Sequence, residues 1–261
     1  MEAVPVKILP RGWGETERRD VWWVEPLLVV IVFSSFLAYG TWAAMQNAHF
    51  EYGPYLSPFY SPLLFGEGPH SWFGPVPGWW PGAIPFSAAL LILWAPGGFR
   101  FTCYYYRGAY YKAFWADPPS CTVGEPRKKY RGENSFPLVL QNVHRYFLYL
   151  GLLFIVILSY DAITSYRFAD GFHVGVGSLV LTVNTILLAS YTFSCHSLRH
   201  IVGGRKDEVT GNALRAGCYA ACSSMNRRHQ LFAWLSLFSV GFADIYVRLC
   251  SMGVWTDYRL L

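Results

Sequence analysis

Five long apolar segments with almost no charged residues are the feature that most constrains the fold of this chain. They lie at about 23–45, 83–102, 137–160, 173–195 and 230–250. About 20 apolar residues in a helix span the hydrocarbon core of a bilayer, where backbone groups must be hydrogen-bonded within the segment. Only 14% of the residues are charged, against about 25% in a typical soluble domain. The sequence therefore predicts an all-α polytopic membrane protein, with residues 1–261 forming a single five-helix transmembrane bundle; a soluble domain is the disfavoured alternative.

Lysine and arginine are strongly skewed between the connections of this predicted bundle. Eighteen of the 21 lie before the first span, between the second and third, between the fourth and fifth, or just inside the third. Only Arg167, Arg248 and Arg259 fall on the other side. Because cytoplasmic connections are enriched in lysine and arginine, the N-terminus is predicted to be cytoplasmic. The connection at about 46–82 has neither residue type and is rich in aromatics, so we expect an aromatic loop over the outer face.

Two local features of the spans predict further structure, a helix kink and an ion pair. Pro96, followed by Gly97 and Gly98, is expected to kink the second helix, because proline removes a backbone donor and its ring clashes with the preceding turn. Asp244 and Arg248, four residues apart near the end of the fifth span, are expected to form an ion pair.

The stretch "YTFSCHSLRHIVGG" joins the end of the fourth span to charged sequence. On a helix, His196 and His200 would share a face, a spacing that allows two imidazoles to bind one metal ion. Cys195 would point about 100° away from His196, so its role is less constrained. Gly203 and Gly204 predict a helix end with a left-handed cap. The stretch is interpreted either as part of a metal or cluster site or as an ordinary helix end at the membrane edge.

Cysteine and histidine collect on the side predicted to be cytoplasmic. The cysteines placed there are Cys103, Cys121, Cys195, Cys218 and Cys222. Because the cytosol is reducing, such a collection favours metal or redox chemistry over disulfides. His144 and His229, near the cytoplasmic ends of the third and fifth spans, are either functional ligands or interfacial histidines. For Cys218 and Cys222, four residues apart among small residues, helix packing is favoured over a ligand role.

Two cysteines and two histidines are the ligands of a Rieske-type [2Fe–2S] centre, with thiolates on one iron and imidazoles on the other. Zinc accepts the same ligands. The chain lacks the closely spaced Cys–His motifs of Rieske proteins, so the hypothesis depends on composition and location. It also lacks a phosphate-binding glycine loop and a nucleophile elbow. We therefore expect no complete reaction from this chain alone and no nucleic-acid partner, but docking of partner subunits on its basic, tyrosine-rich face.

Four segments carry a family resemblance: "FRFTCYYYRGAYYKAF", "PLVLQNVHRYFLYLG", "SCHSLRHIVGG" and "FADIYVRL". With them the chain resembles the single-polypeptide, five-helix anchor of succinate dehydrogenase and fumarate reductase, respiratory complex II, in its haem-lacking actinobacterial branch. The resemblance implies a non-catalytic subunit in a bacterial plasma membrane, surrounded by lipid. It would dock the iron–sulfur and flavoprotein subunits of succinate dehydrogenase and pass electrons to a quinone, menaquinone being the expected one. Whether the complex forms a higher oligomer is left open.

The resemblance also suggests which cofactors the chain could bind. In dihaem anchors the third and fifth helices supply the cytoplasmic-side haem, which His144 and His229 match as a haem b site. The second helix here has no histidine for the other haem, so we predict an iron–sulfur centre instead. The favoured quartet is Cys103 and Cys121 on one iron with His196 and His200 on the other, and Cys195 or His144 are the replacements. A structural anchor or transporter without a cofactor is the remaining alternative.

The quinone headgroup needs hydrogen-bond donors at the polar edge of an apolar pocket. Candidates on the predicted cytoplasmic side are Tyr106, Arg107, Arg145, Tyr146 and His229.

Overall fold

A computed structural model describes residues 12–81, 83, 85–128, 134–136, 138–204, 208 and 211–260. The chain is mostly helical, with 59% of residues in helices. Within the described residues, four helices are long and apolar enough to cross a membrane: Val24–Gln46, Val139–Thr164, Val176–Phe193 and His229–Ser251. The prediction of an all-α membrane protein is thereby confirmed, and these helices match the first, third, fourth and fifth predicted spans.

The helices and strands follow in this order. The first part of the chain forms α1 (Val24–Gln46), the hairpin of β1 (Glu51–Tyr52) and β2 (Tyr55–Leu56), and a 3₁₀ turn at Pro58–Tyr60. Next come α2 (Ala88–Ile92), α3 (Trp94–Phe101), α4 (Tyr104–Ala109) and a π-helical turn at Tyr110–Phe114. A 3₁₀ turn at Leu138–Val143 leads into α5 (His144–Thr164), followed by the hairpin of β3 (Arg167–Phe168) and β4 (Gly171–Phe172). The chain continues with α6 (Val176–Phe193), α7 (His196–Gly203), α8 (Ala213–Asn226) and α9 (His229–Ser251).

The chain divides into two compact units. One contains the residues up to Leu37 together with Phe101–Asn142, and the other contains Ala38–Arg100 together with the residues from Val143 onward.

The second predicted span is not a continuous helix, which corrects the expectation of one helix over 83–102. It consists of α2, with five residues, and α3, with eight, separated at Leu93. Pro96 explains the position of the break, because a proline cannot donate to the carbonyl four residues earlier and its ring clashes with that group. For Pro96 this carbonyl belongs to Ile92, the last residue of α2. The kink therefore lies one turn before the proline. Ile84 and Pro137, within the second and third predicted spans, lie outside the described residues.

Helices α6 and α9 pack antiparallel in the second unit. The Ser239 hydroxyl donates to Asn184 Oδ1 (3.1 Å) across the middle of the pair. Tyr55, Leu181, Ala243 and Val247 form a buried cluster toward the beginning of α6 and the end of α9. Other faces of the long helices leave large apolar side chains more than half exposed: Leu28, Val156, Ile186 and Phe238. Apolar surface on this scale fits contact with lipid.

Asp257, in the segment after α9, joins this end of the helix pair through hydrogen bonds. One carboxylate oxygen accepts hydrogen bonds from the backbone N–H of Gly177 in α6 (2.9 Å) and from the Tyr246 hydroxyl in α9 (2.7 Å). The other oxygen accepts from the Tyr55 hydroxyl (2.7 Å). The same segment adds backbone hydrogen bonds from Val176 to Tyr258 (3.0 Å) and from Leu260 to Val174 (2.7 Å).

Candidate functional site

The α6–α7 junction brings Cys195 against His144. α6 ends at Phe193, and Cys195 is extended (φ −65°, ψ 135°) before α7 begins at His196. This break in the helix turns the thiol toward the first residue of α5. The His144 Nε2 and Cys195 Sγ atoms lie 3.1 Å apart, and both residues are buried. The two predicted ligands therefore meet as a thiol–imidazole pair inside the protein.

A group of stacked rings extends from this pair. The Phe99 ring lies nearly parallel to the His144 ring, with 4.7 Å between their centroids, and makes an edge contact with Tyr191 at 5.5 Å. Tyr191 in turn stacks on His229, with 5.1 Å between centroids and 17° between planes. The two aromatic residues thus link the histidines at the beginnings of α5 and α9.

Ser194 selects the tautomer of His229. Its hydroxyl donates its one hydrogen to the Tyr191 carbonyl oxygen (2.9 Å). With its hydrogen on that carbonyl, the hydroxyl accepts from the Nδ1–H of His229, 2.6 Å away, which is the tautomer with the imidazole lone pair on Nε2. Metal-bound histidines commonly donate their second ring N–H in this way. The carbonyl of Ser194 is itself held by the Asn226 side-chain amide (2.7 Å).

His196 and His200 form a second, separate pair on α7. Both are exposed, and their Nε2 atoms lie 2.9 Å apart, which confirms the predicted helical spacing. Partial burial, reinforced by His200 and the positive charge of Arg199, lowers the pKa of His196. The predicted helix end is also confirmed, because Gly204 caps α7 in the left-handed region (φ 66°).

The other predicted residues of this region occupy varied environments. Cys103 is buried and precedes α4, whereas Cys121 is exposed and its carbonyl accepts a hydrogen bond from Arg18 (3.1 Å). Tyr106 is buried and packs edge-on against Phe33, with 5.0 Å between centroids. Considering the described residues only, no group of three or more histidine, cysteine, aspartate or glutamate side chains is placed to hold a metal ion. The structure thus yields pairs of the proposed ligands and no complete quartet.

The quinone candidates differ in exposure. Arg107 in α4 lies over the Tyr104 ring, with 3.8 Å to its centroid, and its buried Nε has no hydrogen-bond partner in the described part of the chain. Arg145 and Tyr146 are exposed at the beginning of α5. Gln141 was missed by sequence reasoning, although its buried amide is unpartnered among the described residues. Arg100, Phe99, Tyr191 and Ser194 were also missed, because only their tertiary contacts distinguish them.

Cys218 and Cys222 should differ in reactivity. Cys218 is exposed, whereas burial, reinforced by Cys218, raises the pKa of Cys222. A raised pKa leaves less thiolate at a given pH, so we expect Cys218 to be alkylated first, with Cys222 lagging until the pH is higher. Mass spectrometry of the protein after timed iodoacetamide treatment from pH 7 to 9 measures both rates. Equal rates at every pH would contradict the prediction.

Two comparisons with known proteins match this chain. A family model described as "Actinobacterial succinate dehydrogenase subunit SdhC" matches residues 24–253. A chain of the solved structure "Mycobacterium smegmatis Sdh1 complex in the apo form" shares 41% sequence identity and superposes with a TM-score of 0.86. That match covers 94% of this chain and 94% of the other. No curated protein matches.

Proposed function

Because the chain belongs to the actinobacterial succinate dehydrogenase SdhC family, and is therefore a membrane subunit of the complex II enzyme, we propose that it links succinate oxidation to a membrane quinone. Membership implies partner subunits of succinate dehydrogenase. In the proposal these are a flavoprotein and an iron–sulfur subunit, docked on the tyrosine-rich basic face. This chain receives their electrons at a Rieske-type [2Fe–2S] centre and delivers them to menaquinone.

The buried contact between His144 Nε2 and Cys195 Sγ is the observation that carries the proposal. A thiolate and an imidazole from different helices are donors suited to such a centre. His229 supplies the second imidazole in this proposal, because Ser194 holds it in the tautomer with its lone pair on Nε2. Cys103, a buried thiol, and Cys121, an exposed thiol, stay the sequence-based candidates for the remaining position. A centre held by these residues would carry one electron at a time between the partner subunit and the quinone.

This ligand set replaces His196 and His200 of the sequence-based quartet with His144 and His229. The reason is burial: the α7 pair is exposed to solvent, whereas the Cys195 thiol faces the interior toward His144. The haem b alternative takes His144 and His229 as axial ligands, and the spectra of the purified complex separate it from the iron–sulfur centre. The mixed donor pair argues against an anchor without a cofactor.

The quinone site is proposed near Arg107 and Tyr106, which belong to the same unit, and Arg145 and Tyr146 stay sequence-based candidates. The buried Nε of Arg107 has no hydrogen-bond partner among the described residues, so a quinone carbonyl would satisfy it. The Arg107 guanidinium would then orient the headgroup, and the Tyr106 hydroxyl would supply a further hydrogen bond.

Topology is the remaining part of the proposal. We propose that the chain forms one transmembrane domain with five crossings, and that residues 83–102, which include α2 and α3, make the broken second crossing. Leu90 and Trp94, both more than half exposed, give this segment an apolar outer surface suited to lipid. The lysine and arginine skew supports a cytoplasmic N-terminus in a bacterial plasma membrane.

Spectroscopy of the purified complex tests the centre. We expect an additional [2Fe–2S] signal in low-temperature EPR, no haem Soret band, and loss of that signal in His144→Ala and Cys195→Ala. His200→Ala is the matched control and should retain the signal. Succinate oxidation with an artificial acceptor reports whether the partner subunits remain assembled.

The outcomes separate the alternatives. A Soret band that disappears in His144→Ala would establish the haem site. Loss of the signal in His200→Ala, with the His144→Ala signal intact, would restore the sequence-based histidine pair. A complex that shows neither signal but reduces quinone would overturn the proposed centre.

A further inference from the structure

The segment at residues 12–20, which precedes α1, is hydrogen-bonded to the loop at residues 115–124. The backbone N–H of Gly14 donates to the Gly124 carbonyl (3.0 Å), and the Gly124 N–H donates to the Glu15 carbonyl (2.9 Å). Both stretches belong to the same compact unit and lie outside the four long apolar helices. The two stretches together form the N-terminal platform.

Two arginines hold the loop of this platform. Arg18 Nη1 donates to the Ser120 hydroxyl (2.6 Å) and to the Cys121 carbonyl (3.1 Å). Arg127 Nη1 donates to the Trp115 carbonyl (3.1 Å) at the beginning of the loop. The loop is therefore fixed both by the N-terminal segment and by the residues that follow it.

Two residues of the loop adopt a backbone conformation that residues other than glycine rarely take. Ala116 has a φ of 52° and Thr122 a φ of 62°. Thr122 is the more unusual, because a β-branched side chain crowds the backbone in the left-handed region. Such conformations persist only where the surrounding structure imposes them, and they cluster at sites that clamp a ligand or act as switches. The platform therefore maintains a strained backbone outside the spanning helices, which indicates a functional surface.

Trp13 is the large apolar side chain that the platform leaves exposed, with 73% of its surface accessible to solvent. A single exposed apolar residue is ordinary on a protein surface. Here, however, the backbone of the next two residues, Gly14 and Glu15, is fixed by hydrogen bonds to the loop. A surface that is already ordered loses little freedom on binding, and tryptophan is enriched among the residues that contribute most to protein–protein affinity.

The charges near Trp13 in the sequence favour a protein partner over a lipid surface. Residues 12–20 contain three acidic side chains and two basic ones: Glu15, Glu17, Asp20, Arg18 and Arg19. A segment that binds anionic lipid headgroups carries a cluster of lysine and arginine instead. In the proposed topology this segment is cytoplasmic, which is the side on which the soluble subunits dock.

We propose that the N-terminal platform is a docking surface for the iron–sulfur subunit of succinate dehydrogenase, with Trp13 as its anchor. The inference rests on the part of the proposed function in which soluble subunits dock on the cytoplasmic side. The partner surface that fits is an apolar pocket for the indole, with lysine or arginine at its rim to complement Glu15 and Glu17. The iron–sulfur subunit is the occupant because it delivers electrons to this chain and must therefore lie against it.

Release of the soluble subunits from membranes tests the proposal. Membranes that contain the complex are diluted and sedimented at intervals, and succinate oxidation with an artificial acceptor is measured in pellet and supernatant. Trp13→Ala should release the soluble subunits at least about tenfold faster, because loss of an anchoring tryptophan acts mainly on the dissociation rate. Trp13→Phe, which keeps an aromatic ring, should recover part of the retention. Trp79→Ala is the matched control: Trp79 is 74% exposed but lies in the predicted outer connection, so release should match that of the unmodified complex.

The photoreactive residue p-benzoylphenylalanine, incorporated at position 13 or position 79, identifies the neighbour directly. Position 13 should crosslink to the iron–sulfur subunit, and position 79 to neither soluble subunit. Lipid adducts alone at position 13, a crosslink there to the flavoprotein subunit alone, or equal release from Trp13→Ala and Trp79→Ala would overturn the inference. Failure of the proposed function is distinguishable. An unmodified complex that retains no soluble subunits would overturn the docking itself, whereas spectra without an additional centre would overturn only the proposed electron transfer.

Discussion

The Arg248→Met variant is expected to be less stable than the unmodified protein by about 3–5 kcal/mol, because it leaves a buried charge without its partner. Asp244 is fully buried, and its carboxylate lies 3.3 Å from the Nε of Arg248, which is 4% exposed. The sequence-based prediction of this ion pair is confirmed. Tyr39 and Ser57 also donate hydrogen bonds to the carboxylate, so the whole cluster is organised around a negative charge.

The guanidinium of Arg248 also donates to backbone carbonyl groups near the end of α1. It donates to the carbonyl oxygens of Ala48 (2.8 Å) and Ala43 (3.4 Å), and it lies over the Trp42 ring. Methionine keeps much of the side-chain length but supplies none of these donors. The loss therefore combines a buried carboxylate without its counter-charge with the lost hydrogen bond to the Ala48 carbonyl, whereas the Ala43 carbonyl still accepts from the Tyr60 hydroxyl.

Arg259→Met is the matched control for Arg248→Met. Arg259 pairs with Asp170, but their side chains are 47% and 56% exposed, and such pairs contribute about 0–1 kcal/mol. Unfolding in mixed detergent micelles, followed by tryptophan fluorescence, measures both variants. Adding Asp244→Asn to Arg248→Met should recover part of the stability, because the stranded charge is then removed. Equal losses for the two single variants would show that burial of the pair is unimportant.

Gly177→Ala is expected to destabilise the protein by about 1–3 kcal/mol, the usual range for overpacking a well-packed interior. A Cβ at this position would lie 2.4 Å from the Tyr55 ring. Tyr55 cannot easily withdraw, because it is fully buried and its hydroxyl is bonded to Asp257. The clash should outweigh any gain in helix propensity, which is roughly 1 kcal/mol in a helix interior and smaller here, because Gly177 is the second residue of α6.

Gly217→Ala is expected to have the opposite effect on stability. Gly217 also lies within a helix, α8, but a Cβ there meets nothing within 4 Å. We expect this substitution to stabilise the protein by about 0.5–1 kcal/mol through helix propensity alone. The same micellar unfolding assay compares the two glycines, and stabilisation by both alanines would contradict the proposed close approach of Tyr55.

The parts of the structure that the sequence predicts correctly depend on local patterns. Long apolar runs specify four of the helices, and a four-residue spacing places His196 and His200 together. The cap at Gly204 likewise follows from a glycine where a left-handed backbone is needed. The predicted second span fails for a reason that is also local, since Pro96 disrupts the turn before it and not the turn that contains it.

The arrangement of the site depends on contacts between distant parts of the chain. Cys195 and His144 are 51 residues apart, and their meeting requires both the end of α6 at Phe193 and the extended backbone at Cys195. Helical geometry alone directs the Cys195 side chain differently, because it assumes a continuous helix through this point. A single sequence likewise does not show that His229 contacts the Ser194 hydroxyl and the Tyr191 ring.

The Asp257 carboxylate has a consequence for the order of assembly during synthesis. It joins Tyr55, the N-terminus of α6 and the last part of α9, although it lies after all three in the chain. A ribosome that has completed α9 has therefore made both helices but not the group that fastens their ends. The ends of α6 and α9 can be joined through this carboxylate only after the segment that follows α9 has been translated, so a nascent chain stalled at the end of α9 would lack these hydrogen bonds.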